Sequence, residues 1–505
     1  MKYNRIENAK RNIIYGVLLQ IIIIFMPFVI RVMIVRSMGA EYVGLSSLYS
    51  SIITVLNVTE LGFGSAIVYA MYKPIAEDDL SKVCALLFFY RKIYYVVAII
   101  VLTAGIVVMP FLQYLVKGEC PDNINLYYLY LLYLLNTVTS YIFGSYKRSV
   151  LLAYQRQDVI SKLTIFVQIV IYSLEILSLI FIKDYYLYVI LIILGNIAIN
   201  ILIARHVDRN YEHIYAFGTI TTSEKKEILE KVKGLLVNRV LSVSRNSSDT
   251  IFITSFTGLI STAIYSNYLF VVTALNEFVF TIANSITAGV GNGLVLNDEE
   301  KNYNDFMKID IIYMAMCSIC VFGMLNFYRF FVSLFFGKQY LLNVRTECLF
   351  CVLFFVINTG CIKNVFINAA GLWDQTKKYS IMEAVCNCIF NFIGVIHLGI
   401  SGVLLATIIS LLLFDFIFVT KVLFKNVFRK HSVISYWALN MFYGGCILGI
   451  TQIGRMVNVF FSSLLLKSLV SFVIESVVLI GILYFMSIRN NTFRDAKNIL
   501  MLLKK

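Results

Sequence analysis

The feature that most constrains this chain is a series of about fourteen apolar stretches, each near the roughly 20 residues a helix needs to cross a bilayer. They run from residue 13 to residue 486, and segments such as 96–109, 189–204 and 468–486 hold almost nothing that water could solvate. A mean hydropathy of +0.81, with 59% hydrophobic and 14% charged residues, excludes an ordinary soluble domain. The pattern predicts an all-α polytopic membrane protein with spans near 12–33, 43–70, 84–109, 124–146, 159–181, 185–204, 234–256, 263–292, 309–334, 346–368, 379–397, 401–423, 434–453 and 466–487. The loops between them leave no room for a soluble catalytic domain.

Lys and Arg are retained on the cytoplasmic side of a membrane protein. With the N-terminus inside, most of the 43 basic residues fall in cytoplasmic segments, Lys363 among them, and only Arg245 is stranded deep in a span. An even number of spans then puts both termini in the cytoplasm. The +14 net charge is accounted for by this topology and calls for no nucleic-acid partner. The first span lacks an A-x-A cleavage site and is expected to stay as a helix, not to be removed as a signal peptide.

The longest polar interval, 205–233, contains Thr221-x-x-Glu224, a capping box opening the charged amphipathic stretch EKKEILEKVKGLL. It is expected to be a cytoplasmic linker between an N-lobe of six helices (1–204) and a C-lobe of six (234–425), with two further helices and a basic tail in 426–505. Weak internal symmetry supports two pseudo-symmetric lobes: Arg31 and then Glu60 in the first half correspond to Arg245, Asp249 and then Glu277 in the second. Repeats of this kind are characteristic of transporters, with the site between the halves.

Charges inside a membrane cost several kcal/mol unless paired or wet, so each is a functional candidate. The set is Glu60, Glu175, Arg245, Asp249, Glu277, Asp415 and Glu475, with Arg31 and Glu383 nearer helix ends. Arg245 and Asp249 stand four apart and can pair on one helix face, and Asn246, Ser247 and Ser248 make that turn polar all round. Glu60 is followed by Gly62 and Gly64, which permit close packing or a bend, and Asn57 and Thr59 add polarity. Asn276 adjoins Glu277. Glu175, Asp415 and Glu475 read as lone structural acids, and Gly289, Gly291 and Gly293 as a packing or hinge element.

Two C-x-x-C pairs, Cys317 with Cys320 and Cys348 with Cys351, lie in apolar helices with no His nearby, so no metal site is expected. There is no Walker A sequence, no G-x-S-x-G elbow and no large outer loop to carry acid and base. The chain is expected to be no enzyme and to need no cofactor. Uphill movement of a solute would then draw on an ion gradient, H+ or Na+, acting on a buried carboxylate, for which Glu60, Asp249 and Glu277 are the candidates.

Several motifs carry a resemblance. The opening third contains R-x-x-x-x-x-x-x-G-A-E-Y-x-G-L from Arg31, then ELGFGSA and MYKPIA; later come SRNSSDTIFI, IYSNYLFVV, NAAGLWDQTKKYSIMEAVCN and LGISGVLLATIIS. Over residues 1–425 the chain resembles the Wzx-type polysaccharide flippases of the multidrug/oligosaccharidyl-lipid/polysaccharide exporter superfamily, most specifically in its first third. The resemblance implies a V-shaped, two-lobed bundle around a cavity that opens alternately to either side of a bacterial cytoplasmic membrane. It implies movement of a polyprenyl-diphosphate-linked oligosaccharide to the outer leaflet for capsule, O-antigen or exopolysaccharide assembly, with membrane lipids and the pathway's polymerase and chain-length proteins as partners. Relatives line the cavity with basic residues, and the matching positions are Arg31 and Arg245. A diphosphate suits the forked donors of arginine, and sugar hydroxyls suit Asn57, Asn246, Ser247 and Asn276. A multidrug exporter of the same superfamily and a polysaccharide polymerase are the competing expectations; the basic first-helix motif speaks against the former and the short outer loops against the latter.

Overall fold

The computed structural model describes residues 5–57, 63–118, 120–457 and 463–502, and it is helical along almost all of them. The chain divides into two compact units, 1–263 and 264–505. The first contains α1 (Arg5–Ser37), α2 (Ala40–Leu56), α3 (Phe63–Ala76), α4 (Leu80–Val108), α5 (Leu112–Leu115), α6 (Leu126–Ile142), α7 (Arg148–Ala153), α8 (Gln157–Phe181), α9 (Tyr185–Asn210) and α10 (Thr222–Thr257). The helix α11 (Leu259–Ser285) begins in the first unit and continues in the second. The second unit then holds α12 (Thr287–Leu296), α13 (Glu299–Phe335), α14 (Val344–Thr359), α15 (Cys361–Ala369), α16 (Trp373–Leu398), α17 (Ile400–Ser410), α18 (Thr420–Asn426), α19 (Val433–Val457), α20 (Leu464–Arg489) and α21 (Asn491–Leu502).

Among the described residues 11 helical segments are long and apolar enough to cross a membrane, or 12 if the bent pair 126–142 and 145–153 is one span. Two further expected spans lie on helices that this count leaves out. One is split between α2 and α3, around residues that lie outside the description. The other is the C-terminal half of α10, whose Arg245, Asn246 and Asp249 lower its apolar content. The rest follow the hydropathy pattern because lipid leaves backbone N–H and C=O groups no partner except their own helix.

Local sequence sets the helix starts. Asp79, Asn125, Asp184, Asp298 and Asn343 each accept a hydrogen bond from a backbone N–H in the first turn of α4, α6, α9, α13 and α14, replacing a bond that the helix cannot make for itself. Thr221 and Glu224 form the expected capping box, and Glu224 also pairs with Lys82 at 2.6 Å. The box opens a helix that continues without interruption to Thr257, so the second part of the 205–233 interval is the first part of α10. The chain passes from one unit to the next after Ala263 because α10 packs against α2, α3 and α5 of the first unit. Gly258, at φ +92°, ends α10 and allows α11 to start at once; an L-residue is strained there.

Within the first unit α1 packs on α8, α8 on α9 and α4 on α6; within the second, α13 gathers α14, α19 and α20 around itself, and α16 lies along α17. That last approach is close enough that a Cβ on Gly402 would collide with the Gly394 carbonyl, as expected where small residues let apolar helices meet. Gly44 on α2 similarly leaves no room against the Leu259 carbonyl. Gly289 and Gly291, by contrast, have open space around them within α12, so close packing does not explain them.

Candidate functional site

In the first unit the polar interior is made mainly of hydroxyls. Arg31 on α1 donates from Nη2 to Ser47 Oγ on α2 at 3.2 Å, and Ser47 in turn donates to Val43 O at 2.8 Å. The titratable side chains facing the guanidinium are Tyr188, Tyr185 and Tyr133. Tyr133 donates to Ser46 Oγ (3.0 Å) and lies 3.2 Å from the Tyr185 hydroxyl, which reaches Tyr42 O at 3.2 Å.

A second polar layer in the same unit is built of amides. Asn57, at the C-terminal end of α2, accepts from Tyr141 at 3.2 Å. Asn196 donates to Asn136 Oδ1 at 2.8 Å and Asn200 to Ser140 O at 3.4 Å, joining α9 to α6. These asparagines were missed in the sequence, although Asn196 with Asn200, and Asn136 with Ser140, repeat at the four-residue spacing that puts both on one helix face.

Of the remaining first-unit candidates, Ser247 and Asp249 are buried on α10. Glu60 lies outside the described residues, as do the side chains of Arg245 and Asn246. Glu175 on α8 is 2% exposed, so its carboxyl sits inside the unit and not at an interface.

The second unit is different: it buries an ammonium and pairs it with a carboxylate. Lys363 on α15, expected in a cytoplasmic segment, is 0% exposed and donates from Nζ to Asp415 Oδ2 at 2.7 Å and to Asp415 O at 2.6 Å. Asp415 is therefore not a lone acid. Both positions were misjudged because their partnership spans 52 residues of sequence. Asp415 sits in a π-helical stretch, 411–419. The looser winding of such a stretch turns carbonyls away from the regular helical ladder, and besides Asp415 O, Phe416 O accepts from Trp437 Nε1 at 3.2 Å.

Near this pair stands Asp310 on α13, 0% exposed, with no hydrogen-bond partner at either carboxyl oxygen. The sequence reading passed over it because it falls at the edge of a span. Asn276 is bound into the same unit: it accepts from Asn358 Nδ2 at 2.7 Å, and Tyr313 donates to Asn358 Oδ1 at 2.6 Å. Glu277 on α11 is exposed. Glu475, also read as a lone acid, accepts from Asn326 at 2.6 Å, and Glu347 accepts from Tyr268 at 3.0 Å and from Arg329 at 3.4 Å.

A cavity of about 540 Å³ opens among α13, α14, α19 and α20 in this unit. Its walls are largely apolar, including Met324, Phe355 and Leu448, and the polar lining includes Arg329, Glu347, Arg455, Thr359 and Asn440. Among the described residues no group of three or more His, Cys, Asp or Glu could hold a metal ion.

Comparison with known proteins gives these features a setting. No curated protein sequence matches the chain significantly. Its fold is similar to that of "Lipid II flippase MurJ, inward closed conformation", with TM-score 0.62 at 15% identity over 94% of this chain and 99% of that one. It is equally similar, at TM-score 0.62 and 13% identity over 79% of this chain and 92% of the other, to an inward-facing multidrug resistance MATE family transporter of the MOP superfamily. A further MATE structure, in the bent conformation, gives TM-score 0.52 at 14% identity over 86% and 97%. A family profile described as "Polysaccharide biosynthesis protein" matches residues 9–287, the region that holds Arg31, both first-unit polar layers and α10. The chain therefore belongs to the polysaccharide biosynthesis protein family, on the helical fold of MOP-superfamily transporters.

Proposed function

We propose that this protein turns a polyprenyl-diphosphate-linked oligosaccharide from the cytoplasmic to the outer leaflet of a bacterial cytoplasmic membrane, for assembly of a surface polysaccharide such as capsule, O-antigen or exopolysaccharide. The observation that carries the reading is Arg31: a guanidinium within a membrane span, set among serine and tyrosine hydroxyls, inside the region shared with the polysaccharide biosynthesis family. A diphosphate meets that charge with two strong acceptors, and Arg245 is the second donor. Asn57, Asn246, Ser247 and Asn276 serve the sugar hydroxyls, with the Asn136, Asn196 and Asn200 layer adding amides of the same kind. An H+ or Na+ gradient acting on Glu60, Asp249 or Glu277 drives the step. Both termini face the cytoplasm, and the polymerase and chain-length proteins of the same pathway take up the product.

The test is the leaflet in which lipid-linked saccharide accumulates when the protein is depleted, read by access of a membrane-impermeant reagent together with mass spectrometry. Completed repeat units trapped at the cytoplasmic face are the expected result. Single units that reach the outer face but stay unpolymerised would move the assignment to a polymerase. No change in any lipid-linked sugar would favour a multidrug exporter, whose fold this chain equally shares.

A further inference from the structure

Asp310 presents an imbalance that its surroundings resolve in one way. The ammonium and hydroxyl donors around it are committed elsewhere. Lys363 holds Asp415. Tyr443 Oη donates to Ile311 O at 2.8 Å, and Tyr436 Oη to Thr359 O. Asn440 lies beside the carboxyl without reaching hydrogen-bond geometry, and its amide nitrogen is turned to Tyr436 O at 3.0 Å. The Asp310 carboxyl oxygens and Asn440 Oδ1 are thus buried acceptors left with no donor.

The charges point the same way. Lys363 and Asp415 cancel, so an ionised Asp310 would leave one uncompensated negative charge in a low-dielectric interior, at a cost of several kcal/mol. One proton removes that charge and supplies the missing donor, since a neutral carboxyl donates one O–H and still accepts. A hard metal cation would need about six oxygen ligands, whereas the other titratable groups facing Asp310 are the Cys317 and Cys361 thiols and the Tyr436 and Tyr443 hydroxyls. The acids on helices packed against α13 are already satisfied: Asp495 of α21 by Lys308 at 3.3 Å, Glu475 of α20 by Asn326, and Glu347 of α14 by Arg329 and Tyr268.

We propose that Asp310 is a proton-binding site within the membrane, its acid form donating to Asn440, and that it joins Glu60, Asp249 and Glu277 as a carboxylate whose ion uptake and release are coupled to transport. The coupling role rests on the transport reading above; the protonation does not. Asn440 also lines the apolar cavity, as do Arg329 and Arg455, and so links that space to the carboxyl. When Asp310 gives up its proton, its carboxylate competes with Asp415 for Lys363 and loosens the hold of α15 on the π-helical stretch.

Infrared difference spectra of the purified full-length protein in phosphatidylethanolamine/phosphatidylglycerol vesicles, taken against pH, test the site. The expected result is a neutral-carboxyl carbonyl band that bleaches as pH rises, is absent in Asp310→Asn, shifts in Asn440→Leu and is indifferent to added sodium. A band unchanged in both variants, or one abolished by sodium at constant pH, overturns the proposal. Should Asp310→Asn fail to fold, Asp310→Glu and Asn440→Leu still decide it, because each must move the band. In cells, Asp310→Asn should lose polysaccharide export at unchanged membrane abundance while Asp310→Glu retains it; normal export in Asp310→Asn overturns the coupling role. If depletion traps no lipid-linked saccharide, the transport reading fails, and the infrared result for Asp310 stands or falls independently.

Discussion

Arg31 in the first unit and Lys363 in the second are both basic side chains within apolar helices, and they are held by opposite means. Arg31 meets a serine hydroxyl at 3.2 Å with tyrosines around it, whereas Lys363 is 0% exposed and spends its ammonium on a carboxylate and a carbonyl of one residue. Under the proposed function, the difference separates a charge that meets a ligand from a charge fixed within the fold. A carboxylate cancels an ammonium, and removing either partner then strands the other.

The sharpest way to break this contrast is Lys363→Met. It strands Asp415 and should lower stability by about 3–5 kcal/mol, read as a fall in unfolding temperature in detergent and in membrane abundance, with partial recovery when Asp415→Asn is added. A Lys363→Met protein as stable as the parent would show that the pair is dispensable. Arg31→Ala and Arg31→Lys should instead leave abundance unchanged and reduce export about tenfold or more, the equivalent of about 1.5–3 kcal/mol for a charge-assisted hydrogen bond to substrate; lysine fails because it lacks the planar fork. If Arg31→Ala disappears from the membrane, its role is structural and the contrast collapses.

Packing can be compared across the units in the same way. Gly44→Ala in the first and Gly402→Ala in the second each push a methyl onto a backbone carbonyl, and each should cost about 1–3 kcal/mol of stability, seen as earlier thermal unfolding. A smaller effect is expected of Tyr141→Phe, which releases Asn57. The lost bond is worth about 0.5–1.5 kcal/mol, and if Asn57 serves the substrate, export should change more than unfolding temperature does.

The smallest effect concerns the surface, where Lys82 and the Thr221 cap hold Glu224 down to about 2, from an ordinary value of 4.5. A depressed carboxyl stabilises the fold above its unfolded value, so this contribution is complete above about pH 5 and fades as pH falls from there toward 2. Because the pair is exposed to water, the effect should be confined to faster hydrogen exchange in the first turns of α10 at acid pH. Glu224→Gln should remove that pH dependence.

The sequence by itself determined the elements that lipid dictates. A chain whose backbone finds no partner in hydrocarbon must form helices wherever apolar residues run long enough, so most spans, the capping box at Thr221 and the buried Arg31 could be read in one dimension. Only the tertiary structure decided which polar groups meet. Lys363 reads as a cation at the cytoplasmic end of its span and Asp415 as a lone acid until two residues 52 positions apart are seen to meet, and Asp310 as the edge of a span until its neighbours are seen to have spent their donors on other acceptors. The reason is that hydrophobic burial acts on each segment separately and leaves its mark along the chain. Charge pairing depends on contacts of a few ångströms between distant segments, which no local pattern encodes.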